Sequence, residues 1–241
     1  VLLVGLFSLL TGWLNWALSL VACALFVPFV LRRNPLADVR VVLTAGYLGL
    51  GTVWHGGLSG SAPLILATPG NPLLGSGGAP GVVSRLYPIT ETLLIPFNLG
   101  PITVVGVAAL AVVCLLHPTS GARTVDAGTL SDLLPDPPSL APPTTPAQRL
   151  DNFPGWAWFA AALLAYPLGY AIVSQGFGAS WTINAYNAVF LTAALLLHGR
   201  PTAFLAACRN GTPAAWGTLL PVPFYAGSYG FLQQTRLVCS L

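Results

Sequence analysis

Residues 54–72 read WHGGLSGSAPLILATPGNP, placing four Gly and three Pro inside a chain that is otherwise apolar. A backbone this rich in Gly and Pro resists continuous helix. In hydrocarbon its N–H and C=O groups find no water. Such a segment is tolerated at membrane depth only where protein buries it or where it lines a polar cavity. Gly/Pro-interrupted segments of this kind point to the substrate site of secondary transporters.

The membrane setting follows from charge. Charged residues are 6% and hydrophobic residues 55% of the 241, against about 25% charge in a soluble domain. The expected fold class is all-α: a polytopic integral membrane protein with broken or re-entrant helical segments. The nine basic residues are all Arg, scattered rather than striped, and the net charge is +3. Nucleic-acid binding, which needs a basic face, is excluded. Four widely spaced Cys, without a C-x-x-C, suggest neither a zinc site nor a disulfide framework. Cys23 and Cys114 lie in apolar runs and read as fillers. The chain holds no Met and opens within an apolar run, so it reads as a piece of a longer protein. Residues 1–31 lack the pattern of a signal peptide.

A spanning helix needs about 20 apolar residues. Residues 1–31 supply a long apolar segment interrupted at Gly12-Trp13-Leu14-Asn15-Trp16, followed by a charged loop at 32–40. Residues 41–58 run into the irregular stretch, and 59–90, with the Gly75-Ser76-Gly77-Gly78 run, are expected to be re-entrant. Residues 92–116 form the next span, with a break expected at Pro96–Pro101. Residues 117–148 are crowded with Pro and poor in large apolar side chains, hence an exposed, extended linker. Spans follow at 155–175 and 182–198, then a loop at 199–215 and a second Gly/Pro/aromatic segment at 216–231. The expected division is 1–116, a first transmembrane part; 117–154, a cytoplasmic linker; and 155–241, a second transmembrane part. Broken segments on both sides of the linker suit an internal repeat. With 59–90 re-entrant, Arg32, Arg33, Arg40, Arg123, Arg149, Arg200 and Arg209 all fall on one side, as the positive-inside rule requires.

Several residues are candidates for chemistry. Gly57, Ser59, Gly60 and Ser61 can present hydroxyls and bare N–H groups to a carboxylate; alternatively they form a turn that satisfies itself. His55 is a candidate proton carrier or an interfacial histidine. Glu91, the only Glu in the chain, is a candidate for binding a proton or sodium ion. It can equally pair with Arg85 or cap the helix that follows. Asn98 can offer its carbonyl to a cation. Asn184 and Asn187 share a helical face, Asn184 read as lining the site and Asn187 as packing. Thr90 and Tyr225 complete the candidate substrate set. Trp13, Trp16, Trp156, Trp158 and Trp181 read as interfacial belt residues.

Taken in order, Gly12-Trp13-Leu14-Asn15-Trp16, Val53-Trp54-His55-Gly56-Gly57-Leu58-Ser59-Gly60-Ser61, Ala67-Thr68-Pro69-Gly70, Thr90-Glu91-Thr92, Arg149-Leu150-Asp151-Asn152, Leu196-Leu197-His198-Gly199 and Pro223-Phe224-Tyr225-Ala226-Gly227 resemble the bacterial short-chain fatty acid transporter family. The resemblance implies a multi-pass carrier of the cell inner membrane that takes up small monocarboxylates such as butyrate or acetoacetate. It implies no enzyme and no cofactor beyond a coupling proton or sodium ion. The partners implied are the carboxylate substrate and the lipid bilayer, and a homo-oligomer is compatible. Residues 233–241 depart from the further apolar run that the family shows there. A second reading, from another class, takes Gly57-Leu58-Ser59-Gly60 as the G-x-S-G of a rhomboid-like intramembrane serine protease, with His198 as base.

Overall fold

The computed structural model describes residues 1–74, 81, 83–132 and 142–234. The Gly75–Gly78 run, residues 133–141 of the expected linker and the tail from 235 lie outside the described residues. The chain divides into two compact units: Val1–Asp136 with Leu164–Phe190, and Pro137–Leu163 with Leu191–Leu241.

The first unit opens with α1 (Leu2–Leu14) and α2 (Trp16–Arg33), separated at Asn15 where the sequence predicts an interruption. Asn15 is extended and caps α2, its side chain accepting from the Leu18 N–H. Arg32 and Arg33 close α2 in its last turn, where cations suit the negative end of the helix. Asp38 caps α3 (Val39–Leu48), accepting from the N–H groups of Arg40 and Val41. The chain then loosens into a π-helical turn at Gly49–Val53 and a 3-10 turn at Trp54–Gly56. The short α4 (Ser61–Ala67) and α5 (Ile89–Thr92) lead to α6 (Pro96–Leu115). The break here lies at 93–95, not across Pro96–Pro101. Pro96 occupies the first turn of α6, where its missing N–H costs nothing, and the helix continues through Pro101.

Small residues hold α1, α2 and α3 together. Ser8 and Ser19 are buried and fully used. The Ser8 hydroxyl donates to Gly46 O at 2.7 Å and accepts from Gly49 N–H at 2.9 Å; the Ser19 hydroxyl donates to Ser8 O. A Cβ on Gly49 would stand 2.0 Å from Ser8 O. Close backbone approach through small residues, with hydroxyls as polar glue, is the packing mode that lipid favours. Val4, Val27, Leu31, Val42, Leu48 and Leu110 form the adjoining apolar core.

The segment after α6 corrects the expectation of a wholly exposed linker. Leu130, on α7 (Ala127–Asp132), is buried in that same core, and Val125 packs against it. Asp38 explains the docking. Its carboxylate accepts from Arg123 N–H, its own N–H donates to His117 Nε2, and Val39 N–H donates to Arg123 O. Two apolar side chains in a polar stretch suffice once the backbone has partners.

Next come α8 (Pro146–Asp151), α9 (Pro154–Gln175), α10 (Phe177–Ser180) and α11 (Ile183–His198). Helices α9 and α11 run across the division between the units. In the second unit, 199–215 is not a loop. Gly199 has φ +67 and stops α11, and Pro201 starts α12 (Pro201–Leu219), which turns 115° from α11. Arg209 therefore sits within a helix. The expected second broken segment is α12 meeting α13 (Pro221–Gln234) at Leu220. Three described helices are long and apolar enough to cross a membrane, or four if the bent pair is one span.

Candidate functional site

Four helix interruptions in the first unit satisfy one another. At the α1–α2 break, Trp13 O accepts from Leu58 N–H at 2.8 Å and Trp16 N–H donates to Ser59 Oγ at 3.1 Å. The Tyr186 hydroxyl, from α11, reaches Leu14 O at 3.4 Å. Only Gly fits at position 57, because a Cβ there would lie 2.3 Å from Trp13 O. At the α5–α6 break, the Asn98 amide donates to Gly56 O and Leu93 O, tying that turn to the 54–56 turn. At the α10–α11 break, Ile183 N–H donates to Thr68 Oγ1, and Gly178 lies against Thr90. Interrupted backbone is thus tied to its neighbours directly at Leu58 and otherwise through the Ser59, Thr68, Asn98 and Tyr186 side chains, which is how irregular segments survive at membrane depth.

Individual candidates fall into distinct settings. Gly57, Ser59 and Gly60 are buried and serve these backbone bonds. His55, Ser61, Thr90 and Asn184 are exposed. The His55 ring stacks on Trp54 with centroids 3.9 Å apart. The Asn98 Oδ1 accepts no hydrogen bond from the described residues, its amide nitrogen being the bonded atom. Tyr225 is exposed on α13 in the second unit.

Glu91 pairs with Arg85 at 2.7 Å, and both side chains are about half exposed. The guanidinium holds the Glu91 carboxyl below its ordinary value. Arg85 also lies over the Tyr87 ring.

Trp181 corrects its belt assignment. It is 8% exposed and packs with Leu64, Ile89, Leu93 and Tyr186. Its indole N–H is buried without a hydrogen-bond partner among the described residues, a rare condition for such a group. A Trp near a span end gives the same sequence signal in either role. Tyr186 was also missed, since an apolar-run tyrosine shows no partner in sequence.

The protease reading loses its nucleophile. Ser59 is buried and its oxygen is engaged by Trp16 N–H, and His198 Nδ1 is bonded to Ala194 O within its own helix. Among the described residues no group of three or more His, Cys, Asp or Glu is placed to hold a metal ion.

A family model described as short chain fatty acid transporter matches residues 1–239. The chain is similar to a putative short-chain fatty acid transporter of Escherichia coli (strain K12), 32% identical over 98% of this chain and 52% of the relative. A protein of the same description in Haemophilus influenzae is 30% identical over 93% of this chain and 50% of the relative. The chain thus spans about half the length of these relatives. No solved structure matches it. With the match running through both units, this multi-pass membrane chain belongs to the short-chain fatty acid transporter family.

Proposed function

We propose that the protein acts in ion-coupled uptake of short-chain monocarboxylates, butyrate or acetoacetate among them, across the bacterial inner membrane. The observation that carries this reading is the meeting of four helix interruptions whose backbone groups are satisfied while His55, Ser61 and Thr90 stay open. The substrate carboxylate would be bound by the Ser61 and Thr90 hydroxyls and His55, with Trp181 Nε1 as a further donor. A carboxylate needs such donors to leave water. Buried Ser59, Gly57 and Gly60 hold the frame. Asn184 would line the path, and Asn98 Oδ1 together with Glu91 would serve the coupling ion.

The test is labelled butyrate uptake by cells lacking their own carriers, with membrane levels checked. Ser61→Ala should raise KM about tenfold or more, the cost of one hydrogen bond to a charged group. Saturable uptake that is indifferent to both Ser61→Ala and His55→Ala would remove the substrate from this site. No saturable uptake by the well-inserted protein would overturn the substrate class.

A further inference from the structure

An apolar groove of about 710 Å³ opens between α2 and α3. Its α2 wall is Leu20, Cys23, Ala24, Val27, Pro28 and Leu31, the i, i+3, i+4 spacing of one helix face. Val39, Leu43 and Tyr47 form the α3 wall, and Val125 and Leu130 add to it from the docked segment. The floor is closed, with Cys23, Val27 and Leu31 buried, whereas Leu25, Leu43 and Tyr47 on the walls are exposed. Between Leu20 and Leu31 the groove follows the helix for about 16 Å. That is about half of a ~30 Å hydrocarbon core, the depth of one leaflet.

Two guanidinium groups stand at one end. Arg32 continues the ridge of Ala24 and Pro28 at i+4 spacing. Arg33 continues the ridge of Leu25 and Phe29, its guanidinium 4.6 Å over the Phe29 ring. Both are exposed, and neither has a carboxylate partner among the described residues. Asp38 is committed to Arg40 and to backbone N–H groups, and exposed Asp126 bonds Gly128 N–H.

We propose that this groove binds an anionic phospholipid, one acyl chain lying between α2 and α3 and the phosphate headgroup on Arg32 and Arg33. Charge complementarity selects the occupant. Basic pockets between membrane helices hold anionic headgroups, and guanidinium groups bind phosphate oxygens in pairs. The site is separate from the helix interruptions proposed to bind carboxylate.

The experiment uses the purified protein in mixed micelles with phosphatidylglycerol or phosphatidylethanolamine carrying a photoreactive acyl chain. Labelled positions are mapped by mass spectrometry. Phosphatidylglycerol should label residues 20–31 and 43–47 at least fivefold more than phosphatidylethanolamine. The double variant Arg32→Gln/Arg33→Gln should abolish that preference. Ala24→Trp, at an exposed wall position, should block groove labelling while leaving both Arg in place. Equal labelling by the two lipids, or labelling spread evenly around α2, would overturn the proposal in favour of ordinary surrounding lipid. A folded protein whose groove takes no label would overturn it in favour of protein covering the groove.

Discussion

At Gly49 the backbone of the turn that follows α3 touches the backbone of α1, and the consequence is a sharp expectation about single methyl groups. Gly49→Ala would drive a Cβ to 2.0 Å from Ser8 O, whereas a Cβ on Gly51 meets nothing within 4 Å. Overpacking of this kind costs about 1–3 kcal/mol or more. Thermal unfolding in detergent should show a large drop in Tm for Gly49→Ala and little change for Gly51→Ala. Equal Tm values would mean that α1 and the turn after α3 are not packed as described. Ser8→Ala should also destabilise, by about 1–3 kcal/mol, because Gly49 N–H loses its buried acceptor. None of this was legible in the sequence. A Ser in an apolar run reads alike whether it faces lipid or a neighbouring helix. The same blindness put Trp181 in the belt and offered Ser59 as an open hydroxyl. Sequence patterns give residue type and spacing, but which neighbour a polar atom meets is decided by packing between residues distant in the chain.

Interrupted elements were more legible, because their cause is local. The break at Asn15, the irregular 54–60 stretch and the Gly-led stop at 199 all announce themselves through Gly, Pro and capping residues. The docked segment after α6 did not, since its attachment depends on one distant carboxylate. Asp38 is fully buried. The Arg40 guanidinium, followed by Arg123 N–H, holds its carboxyl far below the usual carboxylate range. A depressed folded value means that the stabilisation is complete above the unfolded value near 4 and is lost as pH falls below it. The Asp38 carboxylate therefore contributes no neutral-range pH dependence to the docking of 117–130. Asp38→Asn should release it at pH 7, with backbone hydrogen exchange at Val39 and Arg123 faster by about tenfold or more. Unchanged exchange in that variant would assign the docking to Val125 and Leu130 alone.

Across the whole molecule, the Asp38 hydrogen bonds to His117 and Arg123 join the start of α3 to the segment after α6. Both therefore lie at one face, as they must if 59–90 re-enters rather than crosses and the Arg-bearing ends share a side. Single cysteines at Leu36 and Thr119, in a background without the native four, should label with an impermeant maleimide from the same side only. If 59–90 re-enters, Arg85 and Glu91 form the ion pair of that side among the described residues, and the proposed coupling acts through it. While Arg85 is bound, Glu91 stays ionised below its ordinary value, so it cannot carry a proton at neutral pH. Loading requires the guanidinium to withdraw, which returns the carboxyl to its ordinary range, and the carboxyl then to be shielded from water, which raises it further and lets the proton on. Removing Arg85 permanently should have the same effect in every state. In proteoliposomes with a trapped pH dye, after subtracting the leak of empty vesicles, Glu91→Gln should abolish butyrate-linked proton movement while exchange of butyrate persists. Arg85→Gln should instead shift the pH dependence of uptake to higher pH, because Glu91 then protonates more readily. A shift to lower pH, or proton movement that survives Glu91→Gln, would take the coupling away from this pair and leave Glu91 as the ion-pair partner of Arg85 within a short helix.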